Sequence, residues 1–224
     1  MTTAAVIFDC DGVIVNSEAI CQKIEIDCLA EIGLAFDPLE YSNRFLGSGR
    51  NEYYDALNQE HQRRLGRPLP TSVFVSMHER TSVELDLRLA AVAGVEAAVR
   101  SINIPVAVAS GSSASSLEEK LSKVGLHDLF APHIYSADLV ERGKPAPDIF
   151  LYAAEQLGVA AERCVAVEDS INGILSALRA GMITVGFTGG GHCGTGHRDR
   201  LKQVGAAHVI EHMDQLMPLL SEIA

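Results

Sequence analysis

A chain of 224 residues with 47% apolar and 21% charged residues, few aromatics and no Trp suits one aliphatic core with a smaller insert, which excludes a disordered polymer. Its formal net charge of -11, with no Lys/Arg-rich run to reverse the sign locally, argues against nucleic acid as a partner. Apolar runs such as Ala4 to Phe8 fall far short of the roughly 20 residues of a membrane span, and the N-terminus has no basic start or cleavage signal, so a cytoplasmic protein is expected.

The first element is the apolar run Ala4–Ala5–Val6–Ile7–Phe8, which ends in Asp9 and Asp11 and reads as a parallel strand buried on both faces. Helices are then expected over Ser17–Gly33, around Gly49–Leu65 and over Thr71–Leu89, with no convincing strand among them. Pro105 to Ala109 resumes the strand pattern and runs into Ser110–Gly111–Ser112–Ser113, and Lys144 follows in a loop stiffened by Pro145 and Pro147. Cys164 to Val167 runs into Glu168–Asp169–Ser170, which opens a helix carrying Ile171, Ile174, Leu175 and Leu178 and capped at Gly181. Met182 to Phe187 is a further strand, and Gly189–Gly190–Gly191 reads as a loop. Alternating strands and helices predict an α/β fold, a doubly wound parallel sheet whose ligands bind at the carboxyl ends of the strands. Residues 17–90 are expected to form an inserted helical cap over that crevice, with 1–16 and 91–224 as the core.

Three polar strand ends would face one crevice. In Phe8–Asp9–Cys10–Asp11–Gly12–Val13 two carboxylates two residues apart share a face, and they suit either a hard cation or a nucleophile with an acid/base partner. The same residues also read as a simple acidic turn. Glu168 and Asp169 would need a cation to offset their repulsion, while Ser170 is suited to cap the following helix. Lys144 suits a fixed positive charge aimed at a phosphate, and Ser110 with Gly111 offers a hydroxyl and a backbone N–H, although Ser and Gly also serve ordinary turns. The five cysteines, 10, 21, 28, 164 and 193, lack paired spacing and are expected to be free thiols, and His192, Cys193 and His197 fit no standard zinc pattern.

The ordered set Asp9/Asp11, Ser110, Lys144, Glu168/Asp169 resembles the four-motif signature of the haloacid dehalogenase superfamily over nearly the whole chain. Phe8 to Glu18, Gly143 to Phe150 and Val165 to Gly173 are similar to the β-phosphoglucomutase and sugar-phosphatase branch, which carries a helical cap after the first motif. The resemblance implies a magnesium-dependent phosphatase acting on a small phosphate ester. Asp9 would attack phosphorus, Asp11 would serve as acid and base, and Ser110 and Lys144 would hold the phosphoryl group. It places magnesium on the Asp9 carboxylate, the Asp11 carbonyl and Asp169, with Glu168 a ligand or a partner behind the ligands.

Substrate contacts are expected from Ser17, Gly111 and Ser112 and from the cap stretch Phe45–Leu46–Gly47–Ser48–Gly49–Arg50, where Gly47 and Arg50 resemble a specificity loop. That stretch also reads as a plain helix–helix connection. Cys21 stands where the mutases of this branch carry a His, and no Lys occurs between Asn51 and Glu119, which favours hydrolysis over phosphoryl return to a sugar. Asn16 replaces the branch's usual Asp. A dehalogenase would not need Asp11 or Glu168–Asp169, and a phosphoacceptor signalling module would be near half this length and uncapped.

Overall fold

A computed structural model describes residues 2–45 and 50–223. Six strands, β1 (Ala5–Phe8), β2 (Val106–Ser110), β3 (Ile134–Ser136), β4 (Cys164–Glu168), β5 (Ile183–Phe187) and β6 (His208–Ile210), form one parallel sheet in the order β3-β2-β1-β4-β5-β6. The helices are α1 (Ser17–Glu31), α2 (Pro38–Phe45), α3 (Arg50–Leu65), α4 (Ser72–Arg88), α5 (Val95–Ser101), α6 (Ala114–Lys123), α7 (His127–Phe130), α8 (Asp148–Leu157), α9 (Ile171–Arg179), α10 (His197–Gln203) and α11 (Leu216–Glu222). This is the doubly wound α/β fold expected from the alternation. None of the described helices is long and apolar enough to cross a membrane.

Strand alternation builds two cores. Val6 and Phe8 of β1, with Val108, Val165 and Val167, face Val99, Leu117 and Leu216 on one side. Ala5 and Ile7, with Ala107, Ala109 and Ala166, face Ile149, Phe150, Ala153 and Ala154 of α8 on the other, where small side chains let the helix approach the sheet closely. β1 is fully buried between β2 and β4, so strand order reverses beside it and its carboxyl end opens into the topological crevice.

Helices α1 to α4 carry their own apolar cluster, in which Leu29, Leu34, Phe36, Tyr41, Phe45, Leu57, Val73 and Met77 pack together. The chain leaves and rejoins the sheet region at one point. The Asn16 N–H donates to the Ala90 carbonyl at 3.0 Å, and Asn16 Oδ1 accepts from the Ala90 N–H at 2.9 Å, so one residue satisfies both backbone groups of Ala90. α9 begins on Ser170, whose hydroxyl accepts from the Gly173 N–H, and ends in a Schellman pair of bonds, Met182 N–H to Ala177 and Gly181 N–H to Leu178.

Candidate active site

The carboxyl ends of β1, β2 and β4 meet helices α1 to α3 across a cleft of about 590 Å³. Asp9, Asp11, Gly111, Ser112, Lys144, Glu168 and Asp169 line its floor, so residues from four distant stretches of sequence converge. Lys144 ties them together. Its ammonium donates to Asp9 Oδ1 at 2.5 Å, to Glu168 Oε1 at 2.7 Å and to the Ala109 carbonyl at 2.9 Å. Burial opposes the Lys144 charge, but the Asp9 and Glu168 carboxylates outweigh burial and raise its pKa.

Asp9 and Asp169 are both buried, and burial pushes both carboxyls well above the usual range; Lys144 pulls the other way, and Glu168 adds to the rise in each. Glu168 has both oxygens occupied, Oε1 by Lys144 and Oε2 by the Ser170 N–H at 2.8 Å and the Ser170 hydroxyl at 3.0 Å. Its carboxylate thus positions Lys144 and the start of α9. Gly12, at φ 84°, turns the chain beside Asp169, and a Cβ there would run into the Asp169 carboxylate.

Asp11 is held differently. Its oxygens accept from Ser17 at 2.5 Å, Ser112 at 2.7 Å and Lys120 at 2.5 Å. Burial alone would raise the Asp11 carboxyl, yet the Lys120 ammonium and these three hydrogen bonds bring it below its ordinary value. An acid that holds its proton at neutral pH would need the opposite shift, and Lys120 first, with the Ser17 and Ser112 hydroxyls, works against it, so Asp11 holds its proton only toward lower pH. Lys120 lies on α6, where one charged residue on an amphipathic helix gives no sign of reaching across 109 positions of sequence.

Ser110 is fully buried, and its hydroxyl accepts from the Ser112 N–H at 3.1 Å, so it shapes the loop while Gly111 and Ser112 face the cleft. Ser17, also buried, faces Asp11. Gly47 and the Arg50 side chain lie outside the described residues. The opposite wall comes from Glu18, Gln22, Glu25, Tyr41, Phe45, Tyr53 and Tyr54. Glu18, Gln22 and Glu25 recur at i, i+4, i+7 on α1, a polar stripe that periodicity could have marked. Burial, with Asp11 and Asp169 adding to it, lifts Glu18 to about 8, and burial lifts Glu25 to about 7 despite its bond from the Tyr41 hydroxyl at 2.8 Å.

All five cysteines are free. Among the described residues no three His, Cys, Asp or Glu side chains form a ready metal cage. Magnesium does not need one, because it keeps several waters and is commonly held by one or two carboxylates plus phosphate oxygens. Asp9 and Asp169 fit that requirement: both are hard oxygen donors that line the same cleft, and Glu168 adds to the rise that burial imposes on each carboxyl, a cost that a bound cation would offset.

The family model of a haloacid dehalogenase-like hydrolase matches residues 3–181. The 6-phosphogluconate phosphatase of Escherichia coli K12 is 32% identical over 178 residues, covering 80% of this chain and 79% of its own. A haloacid dehalogenase-like protein of unknown function from Agrobacterium tumefaciens C58 superposes with a TM-score of 0.92 at 39% identity, with 98% of each chain covered. A haloacid dehalogenase family hydrolase from Deinococcus radiodurans R1, solved with phosphate and sodium, gives 0.83 at 31% identity, covering 99% of this chain and 96% of its own. With the parallel sheet, the four converging motifs and a family match across most of its length, this chain belongs to the haloacid dehalogenase-like hydrolases.

Proposed function

We propose that this hydrolase releases inorganic phosphate from a small sugar, sugar-alcohol or sugar-acid monophosphate through an aspartyl phosphate on Asp9. The observation that carries the reading is Lys144 bridging Asp9 and Glu168 at the floor of a cleft that Asp169 also lines. A carboxylate of Asp9 attacks phosphorus, the bond to the ester oxygen breaks, and Asp11 delivers a proton to that oxygen. Water then gives a proton to Asp11 and attacks phosphorus, the bond to Asp9 breaks, and both side chains return to their starting state. Lys144 pairs with phosphoryl oxygens, and the Gly111–Ser112 backbone, turned by Ser110, borders the same position. Asp9, Asp169 and the Asp11 carbonyl would hold a magnesium ion, which when bound supplies the charge that keeps neighbouring carboxylates ionised and neutralises phosphoryl oxygens. Glu168 acts behind this group through Lys144 and Ser170.

Residues 17–90 act as a cap in this reading, over a core of 1–16 and 91–224, which agrees with their separate apolar cluster. Glu18 and Glu25 with raised pKa values, Gln22, and the Tyr41 and Tyr53 hydroxyls give the cap wall hydrogen-bonding groups for a hydroxyl-rich substrate end. A sugar-phosphate substrate also accords with the relative that is a 6-phosphogluconate phosphatase. Cys21 offers no base in place of a mutase His, because burial, with Glu18 and Glu25, pushes its thiol further up. The test is phosphate release across hexose, hexitol and sugar-acid phosphates with and without magnesium. Magnesium-dependent turnover of at least one group is expected; release indifferent to magnesium, or a stable phosphoprotein with no turnover, contradicts the reading.

Lys120 makes a separate prediction about pH. Asp11 must be protonated to serve the leaving oxygen, so activity should fall as pH rises through its pKa, which Lys120 lowers. Lys120→Met should therefore move that falling limb to higher pH. The ionised Asp11 also stabilises the fold above the unfolded carboxyl pKa of about 3.9 and ceases to do so as pH falls through its lower folded value. Losing this charged hydrogen bond should cost about 2 kcal/mol at neutral pH, with the two melting curves converging in acid.

A further inference from the structure

The glycine-rich loop between β5 and α10 lies directly behind Asp169. His192 is 2% exposed, and its Nε2 stands 2.7 Å from Asp169 Oδ2. His197, equally buried, places its Nε2 2.6 Å from the Asp169 backbone carbonyl, while its Nδ1 receives an Arg200 N–H at 3.1 Å. That pattern makes His197 Nε2 the donor, so one imidazole holds the carbonyl of Asp169 and the other faces its carboxylate. The loop leaves room for this. A Cβ on Gly190 would strike the His192 ring, and a Cβ on Gly12 would meet the ring's Cε1 at 2.8 Å as well as the Asp169 carboxylate. His192 Nδ1 finds no partner among the described residues, which fits a neutral ring with its one N–H on Nε2, since a bare acceptor is then all that is buried.

Resting on the reading of Asp169 as a magnesium ligand, we propose that His192 is a positioning residue that donates from Nε2 to one Asp169 oxygen and so fixes how the other is presented to the ion. His197 anchors the same residue from the backbone side, and the two together make the loop a brace for one ligand rather than a second metal site. Both imidazoles are already committed to Asp169, and Cys193 Sγ lies 3.3 Å from His192 Nε2 instead of facing a separate point. Hydrogen-bond partners behind a metal ligand typically govern about 10–100-fold in metal affinity.

The experiment measures magnesium binding by calorimetry on native protein, His192→Leu, His192→Gln and His192→Asn, with thermal unfolding in the absence of metal. A Gln amide nitrogen reaches the position of Nε2, whereas Asn reaches only that of Nδ1. Magnesium affinity should drop about 10–100-fold in Leu and Asn and return to within a few-fold of native in Gln. Equal affinity in all four proteins, or Gln as weak as Asn, overturns the proposal. Should the Leu variant fail to fold, the Gln and Asn pair still decides. Native binding and turnover are read in the same series, so loss of the phosphatase reading shows in the native protein itself, and loss of the brace shows only in the variants.

Discussion

Replacing Asp9 with Asn should lower phosphate release by at least about 10⁴-fold while leaving the fold intact, because the substitution removes the attacking oxygen's charge without changing shape. The neutral amide still fits beside Lys144, but it cannot form an acyl phosphate. Stability should change little. Burial, reinforced by Glu168 and Asp169, raises the Asp9 pKa despite Lys144, so its ionised form is destabilising as pH rises above the unfolded carboxyl's value, but Asp9 in turn stabilises the Lys144 ammonium, and the two effects oppose each other when the charge is removed. The metal-free Asn variant, in which Lys144 keeps Glu168 and the Ala109 carbonyl, should therefore melt close to the native temperature at neutral pH. Activity and melting measured on one preparation check both halves; a variant that is inactive only because it is unfolded contradicts the assignment.

Lys144→Met should damage both chemistry and folding. Lys144 is the cation between Asp9 and Glu168, with its side chain only 10% exposed, and removing it leaves two buried carboxylates facing each other. Breaking such a buried pair from one side costs about 3–5 kcal/mol, or a melting-temperature drop on the order of 10 °C in a chain of this size. Loss of a phosphoryl-binding charge should further lower kcat/KM by about 10²–10³-fold. Lys144→Arg should not restore the rate, since a planar fork cannot place one nitrogen against Asp9, Glu168 and the Ala109 carbonyl together. Kinetics and thermal unfolding report the two effects separately, and a Met variant within tenfold of native activity removes Lys144 from the phosphoryl site.

The sheet's inner strands were legible because burial leaves an apolar signature: β1, β2 and β4 each coincide with an apolar run ending in polar residues, and β5 lies within the further run Met182 to Phe187. β3 and β6 are three residues each and sit at the sheet's edges, too short for any period to register. α2 was hidden in a stretch opening on Pro38, with its aromatic residues committed to the insert's own cluster. Asp9, Lys144 and Asp169 announced themselves through strand-end position and loop chemistry. Lys120 and His192 did not, because their meaning lies in what they touch, Asp11 and Asp169, and neither partner is near in sequence. Ser110 shows a finer limit: its place at the end of β2 was readable, whereas the inward turn of its hydroxyl to Ser112 depends on the folded loop.

An acyl phosphate on Asp9 is a covalent state, and it can be trapped. Protein mixed with a turned-over sugar phosphate and magnesium, quenched in acid and reduced with borohydride, converts an acyl phosphate to an alcohol that peptide mass spectrometry can locate. Homoserine at Asp9, absent when substrate is omitted, is the result expected; full turnover with Asp9 unmodified and the reduced residue elsewhere, or with none at all in a rapid quench, contradicts the mechanism.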